Sequence, residues 1–151
     1  METLNTQYIN VNGSLMDLSK PCVMGILNVT PDSFYEGCRM QTETDITYRV
    51  EQIIKEGAGM IDIGAYSSRP NAKNVSPQEE MERLRMGLTV LRKVQPHAIV
   101  SVDTFRADVA RMCVEEYGVA IINDIAAGEM DKDMFRTVAK LNVPYIMMHM
   151  K

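Results

Sequence analysis

Short apolar runs alternate along the chain with longer segments in which apolar residues recur at helical spacing. The runs have the length of buried parallel strands, and they cover residues 23–27, 60–64, 98–102, 119–122 and 143–148. The segments between them each bring apolar residues to one helical face, which in the second segment consists of Met81, Leu84, Leu88 and Leu91. Five strands that alternate with four helices predict a parallel sheet with right-handed crossovers.

Local residue choices predict where several elements begin and end. Residues 8–18 carry Asn12-Gly13 between two short alternating runs, which predicts a β-hairpin with a type I′ turn. The first helix is expected to be capped within 42–45 and to end at Gly57. In the second helix, Ser76-Pro77-Gln78-Glu79 predicts an N-cap with a capping box, and Pro96 predicts its end.

A polar group follows each apolar run. These groups are Asn28, the Ser68-Arg69 loop, Asp103, Asn123 and His149. An open doubly wound sheet places its site at one switch point, whereas a barrel collects groups from all strand ends, so the pattern favours a barrel. A (β/α)8 barrel takes about 250 residues, and this chain has 151. The predicted fold class is therefore α/β, a partial (β/α)8 TIM barrel.

The predicted organisation is a single domain over residues 1–151, with the hairpin at 8–18 and the β/α units at 22–151. The net charge of −4 and the absence of a basic stripe exclude a nucleic-acid-binding surface. No apolar run is long enough to span a bilayer and the first residues do not resemble a signal peptide, so a cytoplasmic location without a membrane partner is expected. Three cysteines at unrelated spacings indicate neither a disulfide framework nor a zinc site.

Each polar strand end also has an ordinary structural interpretation. Asn28 suits a turn, Asp103-Thr104 suits a helix cap, and Asn123-Asp124 suits a cap or an Asx-turn. His149 suits a hydrogen-bonded strand-end position. Arg69 is either a solvated arginine or, between small residues and a rigid proline, a bidentate ligand for a phosphate or carboxylate.

If the fold is a barrel, these groups meet on one rim. Asn28, Ser68 and Arg69 then offer hydrogen-bond donors for an anion. Asp103 and Asn123, on neighbouring strands, offer a carboxylate beside a carboxamide, which together match the edge of a flat nitrogen heterocycle. The residues alone thus predict part of a barrel enzyme with an anion subsite and a heterocycle subsite.

Five motifs together resemble those of dihydropteroate synthase in order and spacing, and they correspond to the first half of that family's barrel. They are MGILNVTPDSF at 24–34, IDIG with SSRP within 61–70, SVDT at 101–104, IINDI at 121–125 and MMHM at 147–150. The resemblance implies the condensation of a 7,8-dihydropterin-6-ylmethyl diphosphate with 4-aminobenzoate. The products are dihydropteroate and pyrophosphate, and the reaction uses Mg²⁺.

The resemblance also implies roles for individual residues. Asn28 would contact the diphosphate and the metal, and Ser68 and Arg69 would hold the diphosphate. Asp103 and Asn123 would bind the pterin deep in the barrel. Of these residues, Asn28, Arg69 and Asp103 would act directly in catalysis.

Three further residues would complete the substrate contacts. Phe34 and Pro70 would close over the aminobenzoate, and Met148 would pack on the pterin. In the implied mechanism, pyrophosphate leaves first and the aromatic amine attacks the remaining pterin-methyl cation.

The chain departs from the family pattern in two respects. Residues 64–68 read GAYSS, where the family has two glycines, a glutamate and a threonine. The family's later motifs, which carry an aspartate, a lysine, an arginine and a histidine of the site, are absent from the sequence. We therefore expect the isolated chain to lack full activity.

Two other functions stay open at this stage. One is the pterin-binding domain of a methyltetrahydrofolate-corrinoid methyltransferase, although PDSF and SSRP argue against it. The other is a non-catalytic half-barrel that associates with itself, since an open parallel sheet leaves edges and a face uncovered. For this last reason a homo-oligomer is expected in either case.

Overall fold

The structure is a computed structural model that describes residues 7–30, 39–66 and 74–149. In these ranges a two-stranded hairpin precedes a five-stranded sheet whose strands alternate with four helices. The elements are β1 (Tyr8–Val11), β2 (Ser14–Asp17), β3 (Met24–Asn28), α1 (Arg39–Lys55), β4 (Met60–Gly64), α2 (Pro77–Val94), β5 (Val100–Asp103), α3 (Ala107–Tyr117), β6 (Ile121–Asp124), α4 (Met134–Leu141) and β7 (Tyr145–Met147).

The sheet order is β3-β4-β5-β6-β7, and every neighbouring pair is parallel. Each crossover therefore moves the chain by one strand, which is the winding of a (β/α)8 barrel. The predicted fold class is confirmed.

Strand alternation divides the sheet into two faces. One face is covered by the helices and carries fully buried side chains, among them Leu27, Ile63, Val102 and Ile122. We call the opposite face, which carries Met24, Ile26 and Asn28 in β3, the inner face. In a barrel this face lines the interior.

The predicted hairpin is confirmed, and it closes one end of the inner face. Asn12 and Gly13 have φ angles of 51° and 82°, as a type I′ turn requires. Val11 forms an apolar cluster with Met60 and Ile121, the first residues of β4 and β6. The hairpin thus lies against the amino-terminal ends of the strands, and the carboxyl ends remain available for a site.

The boundaries of α2 follow their predicted capping residues. The Ser76 side chain accepts a hydrogen bond from the Glu79 backbone N–H at 3.2 Å, and the helix ends at Val94 ahead of Pro96. The capping box is not completed as predicted, because the Glu79 carboxylate accepts a hydrogen bond from Arg83 instead. The other predicted helix ends hold: α1 stops before Gly57 and α3 before Gly118.

Two predictions about element starts are wrong. The first helix begins at Arg39 rather than at a cap within 42–45, because arginine, methionine and glutamine at 39–41 are strong helix formers that extend it. Strands β5, β6 and β7 each begin two residues later than predicted. The Ala98 backbone N–H instead donates to the Gln95 carbonyl just after α2, and the Val119 backbone N–H donates to the Cys113 carbonyl in the last turns of α3.

No helix in the described part of the chain has the length and apolar character needed to cross a bilayer.

Candidate active site

Four residues form one row across the carboxyl ends of β3 to β6. The strand register pairs Asn28 with Gly64, Gly64 with Asp103, and Asp103 with Asn123. Residues paired across parallel strands point to the same face, so this row lies on the inner face. We call Asn28, Gly64, Asp103 and Asn123 the rim row. It brings together three of the predicted site residues.

Gly64 leaves open the space between the first and third members of the row. A Cβ atom at Gly64 would lie 3.4 Å from Asp103 Cβ, 3.5 Å from Asp103 Oδ2 and 3.8 Å from Asn28 Oδ1. The Asn28 carboxamide and the Asp103 carboxyl group therefore border one small space. A ligand placed there can contact both groups.

Asp103 is a carboxyl group with a strongly raised pKa. Burial raises its pKa to about 7, and the negative charges of Asp62, Glu80 and Asp124 act in the same direction. A carboxyl group that titrates near neutrality responds to any ligand that offers it N–H donors, because those donors favour the charged form.

A buried network lies one step below the rim row, towards the strand starts. Asp62 is 6% exposed; its Oδ1 accepts a hydrogen bond from the Ser101 hydroxyl, and its Oδ2 accepts one from Asn123 Nδ2 at 3.3 Å. Burial raises the pKa of Asp62, and these two hydrogen bonds oppose that shift. Asn123 Oδ1 is buried and accepts no hydrogen bond from any described residue.

Sequence reasoning missed Asp62 and Ser101 as site residues, because both lie inside apolar runs that were interpreted as uniformly buried strands. The detectable feature was parity. Asp62 precedes Gly64 by two residues and Ser101 precedes Asp103 by two, so each lies on the same face as a rim residue.

The structure separates the two interpretations of the Asp103-Thr104 pair. Helix α3 has Arg106 as its N-cap residue, without a side-chain cap, so Asp103 is not a capping residue. Thr104 is the structural member of the pair. Its hydroxyl donates to Glu80 Oε1 at 2.8 Å and accepts from the Arg106 backbone N–H at 3.2 Å.

Asn123 and Asp124 also differ in that one faces the predicted site and the other has a structural role. Asp124 is fully buried and accepts hydrogen bonds from the backbone N–H groups of Ala126 (2.9 Å) and Gly128 (2.8 Å) and from the Tyr145 hydroxyl. It holds the turn after β6, as its ordinary interpretation predicts. Asn123 instead points to the inner face.

An ion pair between Glu80 and Arg106 joins α2 to the loop after β5. Glu80 is fully buried, and its Oε2 accepts a hydrogen bond from Arg106 Nη1 at 2.5 Å. Arg106 Nη2 also donates to the Val75 carbonyl at 2.8 Å, and the guanidinium lies 4.7 Å from the centroid of the Phe105 ring. Phe105 contacts Tyr66 edge to face. These contacts fix both flanks of the segment 67–73.

Of the remaining predicted residues, Met148 lies beyond the end of β7. It is 46% exposed, and its backbone N–H donates to the Asp124 carbonyl at 3.0 Å. With His149 it borders a small cavity beside residues 126–130. Phe34, Ser68, Arg69 and Pro70 lie outside the described residues.

The rim row offers few groups that could coordinate a metal ion, so a metal ion there would be coordinated mainly by oxygen atoms of a bound phosphate and of water. No group of three or more His, Cys, Asp or Glu side chains in the described ranges is arranged to hold a metal ion. Asn28 contributes an amide oxygen at the rim. Mg²⁺ commonly takes only one or two protein oxygens and completes its shell with water and phosphate oxygens, so Asn28 fits that mode of binding.

A carboxyl group can bind a flat polar heterocycle together with a carboxamide oxygen that accepts no hydrogen bond from the described residues, since both lie at the carboxyl ends of parallel strands. Residues 24–151 match the family model for pterin binding enzymes, and the chain belongs to this family. The resemblance to dihydropteroate synthase is thereby confirmed at the level of the family.

Individual proteins of known name are similar to this chain over nearly its whole length. The chain is 44% identical over 148 residues to the mitochondrial folate synthesis bifunctional protein of Arabidopsis thaliana, covering 96% of this chain and 26% of that protein. The dihydropteroate synthase of Xanthomonas albilineans with 4-aminobenzoic acid is 34% identical with a TM-score of 0.84, covering 96% of this chain and 52% of that one. The same enzyme in complex with 7,8-dihydropteroate gives 33% and 0.79, with 96% and 52% covered.

The chain thus spans about a quarter of the bifunctional relative and about half of the solved dihydropteroate synthases. The relatives named dihydropteroate synthase are transferases. The fold and the family are shared, whereas the activity, substrates and partners of this chain are matters for proposal.

Proposed function

We propose that this chain carries the pterin-binding side of a dihydropteroate synthase active site in folate biosynthesis. The reaction would join a 7,8-dihydropterin-6-ylmethyl diphosphate to 4-aminobenzoate and release pyrophosphate. The observation that carries the proposal is the rim row, in which Asn28 and Asp103 border one small space on the inner face and Asn123 is the register neighbour of Asp103. Similar dihydropteroate synthases have been solved with 4-aminobenzoic acid and with 7,8-dihydropteroate, which supports the former as a substrate and the latter as the product.

Asp103 and Asn123 would bind the pterin. The pterin edge presents ring N–H and amino donors, and the Asp103 carboxylate and Asn123 Oδ1 are acceptors. Asn123 Oδ1 accepts no hydrogen bond from the described residues, so a ligand N–H would remove the penalty of a buried unpaired acceptor. As pyrophosphate departs, the Asp103 carboxylate would also stabilise the positive charge that develops on the pterin.

Asn28 would act at the other end of the ligand, with Ser68 and Arg69, on the diphosphate. The C–O bond to the diphosphate breaks with its electron pair on the leaving oxygen, and the amine lone pair then forms the C–N bond and loses a proton. Donors from Asn28 and Arg69 would stabilise the leaving anion. Mg²⁺, held by Asn28 and the phosphate oxygens, would supply further charge compensation.

Phe34 and Pro70 would close over the aminobenzoate, and Met148 would pack on the pterin. These assignments rest on the sequence resemblance. The proposal also keeps residues 1–151 as one domain and the cytoplasm as its location, although the plant relative is named mitochondrial. Incomplete activity of the isolated chain remains part of the proposal.

Calorimetric titration with the pterin diphosphate, and separately with Mg²⁺-pyrophosphate, tests the proposal. We expect the chain to bind both ligands. Asp103→Ala should weaken the pterin diphosphate at least about tenfold and leave pyrophosphate unchanged, because it removes an acceptor worth roughly 1.4 kcal/mol or more. Asn28→Ala should weaken both ligands.

Asp108→Ala, at an exposed carboxylate on α3, is the matched control and should bind both ligands normally. A folded chain that binds neither ligand, or an Asp103→Ala variant with unchanged pterin affinity, would contradict the proposal. Binding of methyltetrahydrofolate without binding of the pterin diphosphate would favour the corrinoid methyltransferase alternative.

A further inference from the structure

We infer that Asp62 is a positioning residue that fixes the orientation of the Asn123 carboxamide and thereby sets which heterocycle edge the site accepts. This inference rests on the proposed function and goes beyond it, because it assigns heterocycle specificity to a residue below the rim row.

A carboxamide can lie in either of two orientations that exchange its oxygen and its NH₂ group. The neighbours of Asn123 differ in what they allow. Asp62 Oδ2 lies 3.3 Å from Asn123 Nδ2, and a carboxylate oxygen can only accept a hydrogen bond. The opposite orientation would place two acceptor oxygens against each other in a buried place. Asp62 therefore selects the orientation in which Nδ2 points towards it.

The orientation of the Asn123 carboxamide also decides which atom it offers to a ligand. With Nδ2 bound to Asp62, Oδ1 is directed elsewhere, and it is buried without a donor among the described residues. The site then presents an acceptor from Asn123 beside the acceptor of Asp103, its register neighbour on β5. Two adjacent acceptors favour a ligand edge that carries two donors and disfavour one that carries a carbonyl.

Ser101 holds Asp62 in place for this task. The Ser101 hydroxyl donates to the other carboxylate oxygen, Oδ1, and is itself fully buried. Asp62 thus has a donor at each oxygen and a fixed rotamer. The three residues come from β5, β4 and β6, so the orientation of Asn123 is set by three neighbouring strands.

Substitution of Asp62 by asparagine preserves its shape but removes the selection, because an amide at 62 can offer either an oxygen or an NH₂ group to Asn123. The probes are 6-hydroxymethylpterin, with an amino donor at position 2, and 6-hydroxymethyllumazine, with a carbonyl acceptor there. We expect the unmodified chain to prefer the pterin by about a hundredfold, since a site of paired polar groups rejects an edge of the wrong polarity. In Asp62→Asn the preference should fall at least about tenfold.

Asp108→Asn is the comparison variant. It makes the same change from carboxylate to amide at an exposed position on α3, away from the rim row, so the pterin preference should stay within about threefold of the original. Thermal unfolding of each variant establishes that it is folded before binding is compared.

A second measurement, NMR spectroscopy of the Asn123 side chain, is made without a ligand. In the unmodified chain, one Asn123 side-chain amide proton should show the downfield shift and slow exchange of a proton bound to a carboxylate. Asp108→Asn should retain this signature and Asp62→Asn should lose it.

The outcomes separate the two proposals. A folded Asp62→Asn variant that keeps both the pterin preference and the amide signature overturns the role of Asp62. If the unmodified chain binds neither heterocycle, the proposed function fails. The amide signature then decides whether Asp62 orients Asn123.

Discussion

Three aspartates near the sheet differ in what surrounds them. Asp62 and Asp124 each accept hydrogen bonds from two or more groups, whereas Asp103 accepts none from the described residues. Burial of Asp103 without compensating donors raises its pKa to about 7. Asp103 is thus the aspartate whose charged form is least stabilised by the described residues, and it is also the one proposed to contact the ligand. Strongly shifted pKa values are typical of functional sites.

The raised pKa of Asp103 makes stability depend on pH. Its pKa is about 7 in the folded chain against an ordinary value of 3.8, so between these values the folded state keeps a proton that the unfolded state has lost. Stability contributed by this group is therefore complete below about pH 4 and falls as the pH rises to about 7.

Asp103→Asn cannot ionise and should escape this loss. Relative to the unmodified chain it should gain little at pH 4 and on the order of a few kcal/mol at pH 8, measured by urea unfolding across that range. Asp108→Asn controls for the loss of one negative charge. A stability difference between Asp103→Asn and the unmodified chain that does not change with pH would contradict the argument.

Two glycines on opposite faces of the sheet form a matched pair of tests. A Cβ at Gly25 would lie 2.3 Å from Ile53 Cγ2, on a buried side chain of α1, whereas the closest approach at Gly64 is 3.4 Å. Gly25→Ala should therefore lose about 1–3 kcal/mol of unfolding free energy. Gly64→Ala should lose less than about 1 kcal/mol, because its Cβ makes ordinary contacts.

Gly64→Ala should nevertheless weaken pterin binding, because the new methyl group fills the space between Asn28 and Asp103. Chemical denaturation and calorimetry on both variants check the pair. Equal stability losses at the two positions, or an unchanged pterin affinity in folded Gly64→Ala, would count against the geometry of the rim row.

At the residue level, the sequence predicted those members of the rim row whose polarity breaks an apolar run. Asn28, Asp103 and Asn123 each end such a run, and they lie together on the inner face. Asp62 and Ser101 could not be singled out in this way, because polarity inside a strand acquires meaning only once the register is known. The hydrogen bond between Ser101 and Asp62 joins residues that lie 39 positions apart in the sequence.

At the level of elements, the ion pair between Glu80 of α2 and Arg106 before α3 is a polar link in which the carboxylate is fully buried. Arg106→Met would leave a fully buried carboxylate with Thr104 as its remaining described donor. The loss should be about 3–5 kcal/mol, as for other buried pairs with one partner removed. Urea unfolding measures it.

Arg85→Met is the matched control for Arg106→Met. Arg85 forms two hydrogen bonds of 3.0 Å with Glu116 of α3, but both side chains are more than 40% exposed. Removal of that pair should change the unfolding free energy by less than about 1 kcal/mol. Similar losses for the two variants would show that burial does not govern the pair at Arg106.

Capping residues predicted helix ends better than apolarity predicted strand starts. Ser76 and Gly118 act through hydrogen bonds a few residues away, so the sequence contains the whole interaction. A strand begins where its neighbour begins to pair with it. Ala98 and Val119 are apolar, yet they lie before the paired residues, and only the register of the sheet excludes them.

For the whole molecule, the inner face carries exposed apolar side chains as well as the site. Ile26 is 57% exposed and Ile146, paired with Asn123, is 37% exposed. Exposed apolar residues on an open sheet favour association. We expect sedimentation velocity of the chain at micromolar concentration to show a dimer or larger species, and Ile26→Ser to shift it towards the monomer.

Leu15→Ser controls for the loss of an exposed apolar residue, because Leu15 is 74% exposed on the hairpin and lies away from the inner face. A single monomeric species for the unmodified chain would contradict this expectation.

The alternation of strands and helices was sufficient to predict the winding of the sheet, because connection rules leave few alternatives. It could not show that the hairpin closes the amino-terminal end of the inner face. That contact joins Val11 to Met60 and Ile121, and no local pattern records it.

Pterin binding to the rim row on the inner face can be followed residue by residue in solution. The experiment is chemical-shift mapping of the isotope-labelled chain during titration with 6-hydroxymethyl-7,8-dihydropterin. We expect saturable shifts at the backbone amides of Asn28, Gly64, Asp103 and Asn123, with little change in the hairpin or on the outer surfaces of α1 to α4. Saturable shifts confined to the helices or the hairpin, or no shifts at all in a folded chain, would contradict it.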